Sequence, residues 1–556
     1  MPWGFIMKNA FLCRIDLFKK QSFSLLFNLI LVATFISFPL VEGAFGAVSS
    51  NVPLDDYAYN DLEKLVNQGL IKSDLWGTRP ISRIEMARLI HEAREGWDML
   101  PQEEQQNLEI IRKILVRFEN EFWEELSVVS GFQESLNTFV KPIERVTMGY
   151  RFQDDDYSLF NNEGLDYYEG NNALVETTMR ASFKGFLGVF VQPRFVYYEN
   201  KDNLQDIKGN EVKDSHFTFH TYYSKLQLGK TEILYGRDTL WWNPCYHGAL
   251  IMSNNAEPFR MYKLSNPNPT ILPWFFKHLG LFKYSLVFAT LDSQRLNPRP
   301  GNENFITNHN NPYFSALHLD MKPFPWLELG VNHINIYGGE GRTDLDYQDH
   351  LELMFRNKNL TGDQSANSET SAFMLLRWYH FSDFIPLAET LSLYGEWGGE
   401  DKAYPPDDRA FQVGLLFGDF LKWRSRLQLR LEYINTTPFK DEPKDVWYSH
   451  PEYPATYEGR VFGHHVGSNA EDYFARLDIS MTPRVDLGLQ ADYERRGTAL
   501  EAEEKVLQWQ LDTHYRLSDH LSLLGMVGIE EMENAGFIKG ETENHSFFSV
   551  WMRYYF

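Results

Sequence analysis

Cysteine is nearly absent: 556 residues contain two, Cys13 and Cys245. The first falls within an N-terminal leader, so the exported chain keeps one thiol, which excludes an intramolecular disulfide and any multi-cysteine metal site. Basic charge is also short, with 53 Lys and Arg against 76 Asp and Glu and a net charge of -23. A chain-wide nucleic-acid footprint is therefore excluded. Long apolar runs are missing after the leader, and mean hydropathy is -0.40, which excludes a bundle of membrane-spanning helices. What is abundant is aromatic: 42 Phe, 29 Tyr and 14 Trp within a chain that is 43% hydrophobic. That is not the composition of a disordered polymer.

Residues 1–46 carry Lys8, Arg14, Lys19 and Lys20, then an apolar run from Ser22 to Leu40, then Ala44-Phe45-Gly46. Basic start, apolar middle and a small-x-small site read as a secretory signal peptide. The run is long enough to span a bilayer, so the alternative is an uncleaved anchor.

Residues 47–126 have a helical period. Leu62, Leu65 and Val66 share one face, and Gly69 is placed to end that helix. A second helix opens at Ser82-x-x-Glu85, a capping box in which Ser82 accepts from the Glu85 amide while Glu85 reaches back. Pro101 opens a third pattern to about Leu126, with Leu108, Ile111, Ile114, Leu115, Phe118 and Phe122 on one stripe. Asn67-Gln68-Gly69-Leu70-Ile71 and Arg79-Pro80-Ile81-Ser82-Arg83-Ile84-Glu85-Met86-Ala87 resemble one S-layer-homology repeat. That resemblance implies contact with peptidoglycan or another wall polymer; a periplasmic plug or collar is the alternative.

In residues 127–556 the period changes from 3.6 to 2. Segments such as 145–152, 187–197, 427–433 and 507–515 alternate apolar with polar and begin or end on aromatics. Mainly β, with a large antiparallel transmembrane barrel, is the fold class this predicts. The chain end decides against a soluble sandwich: Phe548, Val550, Met552, Tyr554 and Phe556 form an uninterrupted apolar face. A terminal Phe on such a strand resembles the signal read by the barrel-insertion machinery of bacterial outer membranes. At roughly 24 residues per strand and loop, about 18 strands are expected, with 16 the next even number. Outer-membrane lipid and lipopolysaccharide are then neighbours, the latter bridged by divalent cations to acidic loops such as 154–170, 339–351, 357–369 and 400–409. No ligand loop for calcium is defined there, and neither a metal nor a cofactor is expected.

The most distinctive stretch runs from Gly236-Arg237-Asp238 through Trp241-Trp242 to Ser253-Asn254-Asn255-Ala256 and Pro258, and a later one is Gly463-His464-His465-Val466-Gly467-Ser468-Asn469-Ala470-Glu471-Asp472. These resemble the Wzi-type capsule assembly family of outer-membrane barrels, which implies binding and assembly of capsular or exopolysaccharide at the cell surface. The chemistry suits it, because indole stacks on sugar C–H faces while amides, Arg and Asp pair with hydroxyls. Arg237, Asp238, Trp241, Trp242, Asn254 and Asn255 are the expected polysaccharide-binding residues. Read without a ligand, the two Trp pack the lumen or a girdle, the Asn pair makes a turn, and Arg237 with Asp238 is a lumen ion pair.

Catalysis has no frame in this sequence. His247, His464 and His465 with Ser253, Ser468 or Cys245 fall in no nucleophile elbow and no metallohydrolase helix. If extended, His464 and His465 would face opposite sides and make a poor metal pair. A non-catalytic, lectin-like assembly barrel is expected, and a porin with an inward constriction loop is the alternative.

Overall fold

The computed structural model describes residues 48–155, 157, 160–199, 213–292, 295–298, 300, 304–306, 311–342, 345–346, 349–350, 353–354, 366–400, 407–437 and 447–556. The leader lies outside them, as do parts of the four acidic loops. Among the described residues, eighteen antiparallel strands run from Phe139–Gln153 to Thr542–Tyr555, each bonded to its chain neighbour. The last returns to the first, Arg145 opposite Tyr555 through Gln153 opposite Phe547, so the sheet is a closed barrel. Closure is what lipid demands, since an open edge would leave amides unpaired in hydrocarbon.

Alternation along the strands sets the two faces. On Thr542–Tyr555 the outward residues Phe548, Val550, Met552 and Tyr554 are exposed, while Phe547, Ser549 and Arg553 are buried inside. The connections divide the ends. Phe183 to Leu187, Leu228 to Thr231, Phe324 to Leu327 and Thr482 to Val485 are short turns at one end, which also carries the longer connections 266–280 and 379–389, and the longest loops, 239–258 among them, are at the other.

Among the described residues, five helices come ahead of the barrel: α1 (Ala58–Asn67), α2 (Arg83–Met99), α3 (Gln102–Asn107), α4 (Glu109–Glu121) and α5 (Trp123–Val129). Gly69 ends α1 as expected, at φ 71°, with the Leu70 amide returning to the Leu65 carbonyl at 3.2 Å. At α2, Ser82 Oγ accepts from the Glu85 amide at 3.2 Å, but the other half of the box is absent: the Glu85 carboxylate turns to Arg88, 2.7 Å away. The third helical pattern is three helices, because the backbone leaves helical geometry at Leu108 and Phe122, although its apolar stripe from Ile111 to Phe122 is buried as the spacing requires, with Leu108 half-buried at its start.

This module stoppers the short-turn end. Leu62, Leu65, Ile90, Ile111, Leu115 and Phe118 form an apolar core that continues onto the wall through Leu375, Tyr394 and Leu416. Around it, charges on the module meet charges on the inward strand faces. Asp74 holds Lys322 and Arg377 at 2.9 Å each, and Glu63 holds Arg430 at 2.6 Å. Asp61 and Lys64 bond Arg516 and Asp486, at 2.8 and 2.7 Å.

Candidate functional site in the barrel interior

The strand Thr231–Asp238 delivers the distinctive segment to the lumen. Gly236 sits at φ 147°, where an added Cβ would lie 2.1 Å from the Tyr222 carbonyl, so only glycine lets this strand approach its neighbour here. After Asp238 the chain turns inward, and Trp242 closes the loop on itself, its amide donating to the Met252 carbonyl at 3.0 Å. The loop's other amides are met by carboxylates on the wall. Tyr246 and His247 donate to Glu432, both at 2.9 Å, and Leu250 to Glu396 at 2.8 Å. The Asn243 side-chain amide also donates to Glu396, at 2.6 Å. Inward carboxylates on strands 146 to 186 residues away thus do what a partner strand would do, satisfying a buried loop backbone.

The loop meets the helical module inside the barrel. Arg79 and Trp241 exchange backbone hydrogen bonds at 3.0 and 2.9 Å. The Arg79 guanidinium lies 4.7 Å over the Trp241 ring and donates to the Asn243 and Cys245 carbonyls. Trp242 stacks on His318, with ring centres 5.0 Å apart. Residues 447–469 fold in from above: Trp447, Tyr448, Tyr453 and Phe462 join Trp242, Leu250, Ile251 and Met252 in a second apolar core. Between module and wall, beside Arg79, Trp242, Lys263 and Lys283, remains a cavity of about 20 Å³, room for one water.

The six residues singled out by sequence are accounted for individually. Trp241 and Trp242 are 5% and 1% exposed, so neither indole offers an open face. Asn255 donates to the Val461 carbonyl, and the Asn254 carbonyl accepts from the Glu163 amide, so the pair joins three loops. Arg237 and Asp238 are not an ion pair: adjacent on a strand, they face opposite sides. Arg237 bonds Glu257 at 3.0 Å near the rim, whereas Asp238 accepts from Asn51 at 2.7 Å inside.

The candidate nucleophiles are occupied. Ser253 Oγ donates to the Gly463 carbonyl at 2.6 Å and Ser468 Oγ to the Trp447 carbonyl. Cys245 is fully buried, and burial pushes its thiol well above the usual range. His464 and His465 are not extended: a turn closes from the Gly467 amide to the His464 carbonyl and leaves their rings 4.3 Å apart. Sequence reasoning missed Arg79, His318, Glu396, Glu432 and Tyr448. Buried-face acids on alternating strands were the available signal for the two glutamates.

A closed, eighteen-stranded outer-membrane barrel whose lumen is filled by its own loops is the class that fold and interior define. The chain belongs to the capsule assembly protein Wzi family, whose model matches residues 152–546. Among solved structures it is similar to the Escherichia coli outer-membrane protein Wzi, described as involved in group 1 capsule assembly and as a carbohydrate-binding β-barrel. That likeness has a TM-score of 0.66 at 16% identity, over 92% of this chain and 99% of that one, and speaks for the fold. It is also similar to a Klebsiella pneumoniae protein described as an uncharacterised 55.8 kDa protein in the cps region. Identity there is 22% over 216 residues, 38% of this chain and 39% of that relative, so the match spans about two fifths of the relative's length.

Proposed function

We propose that this chain is a non-catalytic outer-membrane protein that binds capsular or exopolysaccharide on its long-loop face and helps assemble or retain it there. Membership in the capsule assembly family supports this reading, as does the carbohydrate binding described for the E. coli relative. The observation that carries it over a porin is the lumen, filled from one end by the helical module and from the other by loops 239–258 and 447–469. A porin needs a continuous aqueous path. The helical module is then periplasmic and acts as a stopper. Its S-layer-like segment is read the same way, because Asp61, Glu63, Lys64 and Asp74 are engaged with the barrel wall.

In this reading the six residues divide their work. Trp241, Trp242, Asp238, Asn254 and Asn255 hold the loop that floors the surface, and Arg237 reaches its rim beside Glu257 and the half-buried Tyr457. The test is single-channel conductance of the refolded protein in a planar bilayer, with and without the host's surface polysaccharide. We expect a closed barrel that binds the polymer, and Arg237→Ala with Tyr457→Ala should weaken binding without opening the lumen. Trp241→Ala with Trp242→Ala should weaken binding and also raise conductance. Large, steady conductance indifferent to polysaccharide would return the porin to first place. Peptidoglycan pull-down that is lost on deleting 52–93 would make the module a wall anchor.

A further inference from the structure

Beneath the two infolded loops, four side chains from four elements converge. His247 comes from loop 239–258 and His465 from the turn at 464–467, while Asp472 and Asp492 come from strands Ala470–Thr482 and Val485–Arg496. One nitrogen or oxygen from each lies within 4.8 Å of all the others. His247 Nε2 is 2.8 Å from Asp492 Oδ2 and 3.4 Å from Asp472 Oδ2, and His465 Nε2 is 3.5 Å from that same Asp472 oxygen. All four side chains are at least nine-tenths buried.

Two features point to a ligand in the space they enclose. Neither ring nitrogen of His465 and neither carboxylate oxygen of Asp472 makes a hydrogen bond of ordinary geometry. Among the described residues, the ion-pair partners of Asp472 and Asp492 are imidazoles, with no Lys or Arg. The neighbouring acid Glu494 is met by Arg496 at 2.5 Å through one oxygen, and its other oxygen lies 3.3 Å from His465 Nε2, a contact that metal binding at this nitrogen would replace. Two buried carboxylates without a fixed cation are costly, and a bound dication offsets them. The rings are also held in place: Phe474 stacks on His247 at 3.8 Å and Phe160 on His465 at 3.9 Å.

We propose that His247, His465, Asp472 and Asp492 bind a divalent transition-metal ion of the zinc class, which ties both infolded loops to the barrel wall. Two imidazoles with two carboxylates suit Zn²⁺ or Co²⁺, whereas Ca²⁺ and Mg²⁺ prefer oxygen alone and Cu⁺ prefers sulfur. Tetrahedral bonds of about 2.1 Å place ligand atoms about 3.4 Å apart. The separations of 3.4 and 3.5 Å already match that value, the 2.8 Å contact opens by about 0.6 Å, and the widest closes by up to about 1.4 Å on binding. The site's contribution is cross-linking. His247 and His465 sit on segments held otherwise by hydrogen bonds and apolar packing, and a metal adds ties that exist only in the folded barrel.

The test uses the full mature chain, refolded in detergent, stripped with a chelator and titrated with Co²⁺ alone, then with Zn²⁺. The expected result is one Co²⁺ per chain with the intense visible band of tetrahedral cobalt, displaced by Zn²⁺, and a higher unfolding temperature in the loaded protein. His465→Gln and Asp472→Asn should each weaken binding about a hundredfold or more, while His520→Gln, on an exposed turn, should not. Wild type that binds Co²⁺ no better than the His465→Gln Asp472→Asn double variant overturns the site. Should those variants fail to fold, X-ray absorption of the Zn²⁺-loaded wild type decides: two nitrogens and two oxygens at bonding distance support it, and a shell of water oxygens overturns it.

Discussion

At the short-turn end the lumen is stoppered by a segment that meets the wall through paired charges, Asp74 with Arg377 and Lys322, Glu63 with Arg430, and Asp61 with Arg516. At the long-loop end it is stoppered by loops that meet the wall through backbone amides, three of which donate to Glu396 and Glu432. The difference follows from connectivity. Loop 239–258 is covalently part of the barrel at both ends, so its amides must be satisfied wherever it folds, and fixed carboxylates do this without a second strand. The helical module is joined through 130–138, and the backbone bonds of its helices are internal; outside the helices a few of its amides reach out, Trp76 and Gly77 to Glu328 on the wall and Arg79 to the Trp241 carbonyl. What specifies its seat is side-chain charge, which sets orientation and leaves the contact responsive to protonation.

The strongest way to break this comparison is Glu396→Ala with Glu432→Ala. It strands the amides of Tyr246, His247 and Leu250, at about 2 kcal/mol for each buried donor left without an acceptor. The loop should come away from the wall. Conductance should rise, and protease should cut within 239–258, while the helical module stays seated. Loss of the module with the loop still closed would mean the two stoppers are one unit. Asp74→Ala acts on the other end. It leaves Arg377 and Lys322 buried without their shared carboxylate, with neutral partners in the residue-74 carbonyl, Ser392 and Tyr379, a cost of about 3–5 kcal/mol. Proteolysis of 48–130 should then accelerate while conductance stays low.

Some of this was legible in the sequence because it depends on local period. The outward face from Phe548 to Phe556, the end of α1 at Gly69 and the Ser82 cap follow from spacing alone. The strand number came from residues per strand, and the eighteen observed agree with it. The interior was not legible, because it is made of contacts between residues far apart in the chain. Nothing near Trp241 announces Arg79, 162 positions earlier, as its backbone partner. The Trp and Asn residues stood out as sugar-binding types, yet residue type cannot tell an outward loop from one that folds inward. His464 and His465 misled for a related reason: their opposition assumed an extended chain, and the turn at Gly467 brings the rings together.

The smallest expected effect sharpens the comparison by titration. Burial alone would raise the Asp74 carboxyl, but Arg377 and Lys322 outweigh it and bring it down to about 2 from an ordinary 3.8. Asp61 is also lowered, with burial opposed by Arg117, Arg516 and Lys64. A carboxylate depressed in the seated module and ordinary in a released one stabilises seating above its ordinary value, and that contribution fades as acid drives it through the depressed one. For Asp74 the loss therefore falls between pH 3.8 and about 2 and amounts to roughly 2 kcal/mol. Protease cleavage of 48–130, followed on folded barrels in detergent with an acid-stable protease, should accelerate across that interval. In Asp74→Asn the module should be looser at neutral pH, and its cleavage should vary less with acid, since the titrating group is gone. An unchanged acid profile in that variant would assign the response to the module's other depressed carboxyls, Asp55, Asp61 and Glu125, and leave Asp74 as a fixed geometric contact. A profile flat in both proteins would mean that charge does not seat the module at all, and that its apolar core against Leu375, Tyr394 and Leu416 does.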